Sequence, residues 1–183
     1  MNITHTPISG VCVVENSAAQ DSRGAFSRLF CERELQGVLV CRKIVQINLS
    51  LTTRVGAVRG LHYQNAPEAE MKIVRCLKGR VLDVAVDLRL GSPTFLQWTA
   101  VELSPCNRRA FVIPEGCAHG FQVLEQDSEL LYLHTAFYTP EVEGAVRFND
   151  PSVGIKWPLE PTDLSTRDST HQLLDRDFRG IVI

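Results

Sequence analysis

The chain has 183 residues, 44% of them hydrophobic and 22% charged, with a formal net charge of −2. That is enough chain for one domain with a real core and short for two, so residues 1–183 are expected to form a single domain. The charge balance excludes a surface built for polyanions, so nucleic acid is not an expected partner and any anion must be held by a local site.

The N-terminus, Met1-Asn2-Ile3-Thr4-His5-Thr6-Pro7, lacks the basic and apolar regions of a secretory signal, and no apolar run approaches membrane-spanning length. Six scattered cysteines form no CxxC pair and no zinc-finger spacing. They read as reduced, mostly buried thiols, which makes the cytoplasm the expected location. Residues 8–15 read as a strand, and a polar loop then leads to a turn at Asp21-Ser22-Arg23-Gly24. The stretch 31–37 reads as one or two helical turns closed by Gly37.

From residue 38 to 150 the pattern is almost wholly β, with candidate strands at 43–50, 56–64, 70–77, 80–88, 96–104, 109–113, 119–125 and 129–138. Lys78-Gly79 fits a tight hairpin and Leu90–Pro93 a loop. Many short strands at regular spacing predict a sandwich, jelly roll or barrel. A modest helical signal follows at 168–176. Alternation sets Asp83 on a face with Val81 and Ala85, Lys72 with Val74 and Cys76, and Tyr132 with Leu130, His134 and Tyr138. Such half-polar faces either meet solvent or line an interior cavity, and alternation does not separate the two.

The stretch Gly56-Ala57-Val58-Arg59-Gly60-Leu61-His62-Tyr63-Gln64 places an arginine and a histidine beside glycines inside a strand-like segment. Glycine within a strand marks a bulge or a close approach to the backbone, and the basic pair suits an anion site next to a titratable group. In a regular strand Arg59 and His62 point to opposite faces, so a shared pocket requires a bulge, expected at Gly60.

Three chemistries compete. The five histidines form no H-x-H pair and no His-Glu ligand spacing, so no metal site is assigned. Cys117 and His119, two apart, allow a cysteine–histidine nucleophile, but no third orienting group stands nearby. Proton transfer needs a base, an acid on the far side of the substrate and a cation for developing charge. His62, Tyr132, and Lys72 or Arg59 supply those types.

The chain also carries Asp21–Phe26, Val58–Gln64, Lys72–Arg75, Gly79–Arg89, Gly91–Phe95, Ile113–Phe121, Leu131-Tyr132, Tyr138–Glu141, Asn149–Pro151, Trp157–Leu159 and Leu164–Asp168 in this order. In these it resembles the dTDP-4-dehydrorhamnose 3,5-epimerase family of nucleotide-sugar enzymes. The resemblance implies an all-β, cupin-type jelly roll with short peripheral helices, a homodimer whose N-terminal strands extend the partner's sheet, and no cofactor or metal. It implies epimerisation beside the C4 ketone of a nucleotide-linked 4-keto-6-deoxy sugar in deoxysugar biosynthesis, with no membrane partner. Two alternatives are a mono-epimerase acting on C3 or C5 alone and a non-catalytic cupin that binds a sugar nucleotide.

By the same resemblance His62 corresponds to the catalytic base, Asp168 to its carboxylate partner, Tyr132 to the acid and Lys72 to the cation beside the keto oxygen. Arg23 and Arg59 correspond to diphosphate ligands, Phe26 to an aromatic against the nucleotide base, and Gln46 and Asn48 to polar pocket residues. Asp83, His119 and Tyr138 correspond to further pocket positions, with Asp83 a fallback partner for His62. Three positions depart from the family pattern. Leu49 stands where histidine is common, Leu133 where lysine is common and Cys117 where phenylalanine is common.

Overall fold

The computed structural model describes residues 1–183. Thirteen strands run in chain order: β1 (Asn2–His5), β2 (Cys12–Glu15), β3 (Ala18–Asp21), β4 (Gly24–Ser27), β5 (Gln46–Thr52), β6 (Val58–Gln64), β7 (Lys72–Lys78), β8 (Val81–Asp87), β9 (Trp98–Leu103), β10 (Arg109–Ile113), β11 (Cys117–Val123), β12 (Ser128–His134) and β13 (Glu143–Ala145). Two short helices, α1 (Gln36–Leu39) and α2 (Thr166–Thr170), and a 3-10 turn at Pro140–Val142 complete the chain.

The strands form a six-stranded sheet, β1-β2-β10-β7-β12-β5, and a five-stranded sheet, β13-β6-β11-β8-β9, with β3 and β4 a separate hairpin. All strand pairs in these sheets are antiparallel. This is the expected jelly roll: two sheets face to face around an interior core. Inward residues of both sheets (Val74, Cys76, Val81, Ala85, Phe111, Phe121, Val123 and Leu130 among them) make one buried cluster. Outside the six-stranded sheet, Leu35 and Leu39 pack on Ile73, Val112 and Leu133. Outside the five-stranded sheet, Leu61, Val84 and Val86 are covered by Trp157, Leu174, Phe178 and Ile181 from the C-terminal segment.

The differences from the expected elements have local causes. Helix α1 lies later than 31–37 and contains Gly37 instead of ending at it; Leu35 and Leu39, each 1% exposed, anchor that turn by burial, and the helix stops at Val40 with φ 55°. Helix α2 begins before 168 because Ser165 caps it, its hydroxyl accepting the Asp168 N–H at 3.0 Å. It ends early, and Asp150 Oδ2 accepts the Leu174 N–H at 2.6 Å, tying that residue into irregular chain. Strands β1, β3 and β13 are polar or very short, so alternation gave no sign of them.

Candidate active site

The interior between the sheets is apolar at one end and polar at the other. At the polar end a cavity of about 280 Å³ is lined by Asn48, Leu49 and Ser50 of β5, Arg59 and His62 of β6, Lys72 of β7, His119 and Phe121 of β11, and Tyr132 and His134 of β12. The polar faces therefore line a cavity, because the second sheet closes over them. A second depression meets it at Arg59 and His62 and is walled by Thr52, Ser165, Arg167 and Asp168.

The Arg59–His62 problem is resolved by an irregularity in the β6–β11 ladder. His119 pairs with His62 and Gly120 with Gly60, so Leu61 is the extra residue on β6. Leu61 packs outward in the fully buried outer cluster, while Arg59 and His62 both line the cavity. Gly60 has φ +118° and its Cα lies so near β11 that a Cβ would stand 2.6 Å from Gly120 Cα and 2.7 Å from the His119 carbonyl oxygen. Only glycine fits there.

The bulge also frees a donor. The Gly60 N–H points to Asp168 Oδ2 at 3.3 Å, and Asp168 Oδ1 accepts from His62 Nε2 at 2.8 Å. With Nε2 so engaged, Nδ1 is the nitrogen left to take a proton. Burial pulls the Asp168 carboxyl upward, but the bonds from His62, Gly60 and Ser165 outweigh it and hold the group below the ordinary carboxylate range. Asp83 is not needed as a partner for His62. It lies fully buried behind His119, whose Nε2 meets its Oδ1 at 2.8 Å, and burial raises its pKa. Its second oxygen has no partner.

Tyr132 faces the cavity from the opposite sheet. Its hydroxyl lies 3.2 Å from Ser50 Oγ, and burial raises its pKa, so the phenol stays protonated. Lys72 Nζ donates to the His62 carbonyl at 3.4 Å and pairs with Glu70 at 3.1 Å, which sets an ammonium beside the β6 strand that carries His62. Arg59 has a single polar partner, Thr52 Oγ1 at 3.3 Å, and no carboxylate, leaving a guanidinium to face an anion. A base on one wall, a protonated phenol on the other and cations lining the same cavity are the parts of a two-face proton transfer through an enolate.

The remaining expected residues lie elsewhere. Arg23 and Phe26 sit on the β3–β4 hairpin, around a separate depression that shares no residue with the cavity. Phe26 is 77% exposed, and Arg23 pairs with Asp21. Gln46 and Tyr138 meet each other outside the cavity, Gln46 Oε1 accepting the Tyr138 N–H at 3.1 Å. Cys117 is buried with its thiol pushed up to about 12 by burial, so the cysteine–histidine nucleophile is set aside.

Several site residues were not singled out from sequence: Ser50, Glu70, His134, Ser165 and His171. His134 shared an alternation face with Tyr132, and that was its signal. His171 comes from the chain after α2; its ring meets His62 edge-on at 6.2 Å and its Nε2 stands 4.0 Å from Asp168 Oδ1. Burial and the nearby His62 lower its pKa.

The profile of the family described as dTDP-4-dehydrorhamnose 3,5-epimerase matches residues 5–176. The dTDP-4-dehydrorhamnose 3,5-epimerase of Salmonella typhimurium is 41% identical over 179 residues, covering 96% of this chain and 97% of that one. The dTDP-4-dehydrorhamnose 3-epimerase of Streptomyces niveus is 36% identical over 175 residues, covering 95% and 84%. A crystal structure of dTDP-6-deoxy-D-glucose-3,5-epimerase from Legionella pneumophila, in complex with dTDP-4-keto-L-rhamnose, superposes with a TM-score of 0.91 at 40% identity, covering 100% of this chain and 98% of that one. Matched along nearly its full length in sequence and in fold, this chain belongs to the dTDP-4-dehydrorhamnose 3,5-epimerase family of isomerases.

Proposed function

We propose that residues 1–183 act as one epimerase domain, inverting C3 and C5 of a dTDP-linked 4-keto-6-deoxy-hexose. His62, held by Asp168, removes the proton beside the C4 ketone; Lys72 stabilises the enolate oxygen; Tyr132 returns a proton from the other face. Arg59 binds the diphosphate. The observation that carries this reading is the opposition of the His62–Asp168 pair and the Tyr132 phenol across one cavity, on facing sheets. Inversion at a single carbon is the second reading, favoured by the likeness to a relative named a 3-epimerase.

Arg23 and Phe26 fit this function as residues delivered to a second copy's site, in a homodimer. Their exposure supports that, as does the outer face of edge strand β5, where Ile47 and Leu51 are 60% and 54% exposed. The proposed location is the cytoplasm, where sugar nucleotides are made; no helix is long and apolar enough to cross a membrane. The test is turnover of dTDP-4-keto-6-deoxyglucose in deuterated water. Label entering at C3 and C5 supports the double inversion, label at one carbon supports the second reading, and no label with this or other nucleotide keto sugars contradicts both.

A further inference from the structure

A chain of polar contacts runs along the wall formed by β5, β12 and β7, beginning just before Lys72. Glu70, its side chain only 7% exposed, holds Lys72 Nζ with Oε1 at 3.1 Å and His134 Nδ1 with Oε2 at 2.6 Å. The other nitrogen of His134, Nε2, faces Asn48 Nδ2 at 3.4 Å across the β12–β5 pair. The ring is further fixed by stacking on Tyr132, with centroids 6.0 Å apart and planes 19° apart. Burial raises the Glu70 carboxyl, yet its bonds to His134 and Lys72 bring it below the ordinary range, so it is an anion that accepts from both.

Directions follow from that. With Nδ1 donating to Glu70 and the Asn48 amide nitrogen facing Nε2 at 3.4 Å, Nε2 is the acceptor of the second contact. The Asn48 carbonyl oxygen, which has no partner within the chain, is left to the cavity. Without His134 the Asn48 side chain lies on an edge strand with no other bond to fix which way its amide points.

We propose that Glu70 and His134 form a relay that fixes Asn48 Oδ1 as the acceptor for a hydroxyl of the bound sugar, making His134 a positioning residue for the sugar end of the substrate. The identity of the ligand rests on the epimerase reading; the relay rests on the three contacts. His134 acts on nothing that reacts. Its effect is to keep one acceptor aimed, and Lys72 keeps its own oxygen of Glu70 when His134 is replaced.

The test is a double-mutant cycle of His134→Phe and Asn48→Ala, with steady-state kinetics on dTDP-4-keto-6-deoxyglucose and binding of dTDP alone. Each single variant is expected to raise KM about tenfold, the size of one lost directional hydrogen bond. The change in kcat is expected to be smaller, and the double variant no worse than the singles. Affinity for dTDP, which has no sugar, is expected to stay unchanged. His134→Gln keeps a donor for Glu70 and is expected to fall between wild type and His134→Phe; it also serves if His134→Phe fails to fold. Fully additive effects, an equal loss of dTDP affinity, or a fall in kcat at unchanged KM each overturn the relay. Wild-type protein that exchanges no deuterium into any keto sugar counts against the epimerase reading, whereas active wild type with unaffected His134 variants counts against the relay alone.

Discussion

The bulge at Gly60 is where fold and chemistry meet, and Gly60→Ala tests it most sharply. The added methyl would stand 2.6 Å from Gly120 Cα and 2.7 Å from the His119 carbonyl, both backbone atoms of the neighbouring strand. A side chain forced to φ +118° adds conformational strain, about 1–3 kcal/mol for such a region. Pushing two paired strands apart costs a further ~1–3 kcal/mol. The sum, about 2–6 kcal/mol, corresponds to a Tm lowered by roughly 5–20 °C for a chain of this size. Activity is expected to fall further than stability at a permissive temperature, because the Gly60 N–H that orients Asp168 moves with the strand. Thermal denaturation followed by circular dichroism, with turnover measured well below Tm, reads both effects. Gly37→Ala is the control: it sits in α1 with nothing within 4 Å of the new carbon and should leave Tm unchanged or slightly raised. A Gly60→Ala protein with wild-type Tm and turnover would refute the reasoning.

Two other outcomes follow from the site and its frame. Tyr132→Phe should abolish completed inversion while leaving exchange of the substrate proton with solvent, because exchange needs only the base; loss of both to the same degree would show that the acid is misassigned. Asp87 is buried at the end of β8, where the bonds from Arg89, Ser92 and Thr94 overcome its burial and bring its pKa from 3.8 down to about 2. A folded-state pKa below the unfolded one contributes stability that is fully present above about pH 4 and is lost as pH falls towards 2, here about 2 kcal/mol. Urea denaturation of Asp87→Asn and wild type should therefore differ by about that amount at pH 7 and converge on acidification; a gap independent of pH would contradict the assignment.

Much of this architecture was legible because its strands obey one local rule. In β8 and β12 alternation grouped Asp83 with Val81 and Ala85, and Tyr132 with Leu130 and His134, each on one face of its strand without any knowledge of partners. The β6 stretch announced its own exception, since Arg59 and His62 reach one pocket only with an extra residue between them, and glycine marked the place. What alternation does not carry is which faces close on each other. Solvent and cavity looked alike until the two sheets packed. Asp168 lies 106 residues from His62 in a five-residue helix, and the modest helical signal at 168–176 said nothing of which strand that helix meets. Glu70 opens the expected strand 70–77 two residues before Lys72, but its pairing with His134 reaches across to another strand, which the periodicity of one strand does not carry. Arg23 and Phe26 show the opposite case: correspondence to the family named them, and within a single chain the hairpin holds them away from the cavity.

The most direct test of the account is deuterium wash-in at the carbons flanking the ketone of dTDP-4-keto-6-deoxyglucose, comparing wild type with His62→Ala under conditions where both are folded. Label entering with wild type and falling by at least about a hundredfold without the imidazole is the expected result, that being the low end of general-base contributions. Undiminished exchange in His62→Ala would contradict the assignment of the base, and with it the chemistry built on the Gly60 bulge.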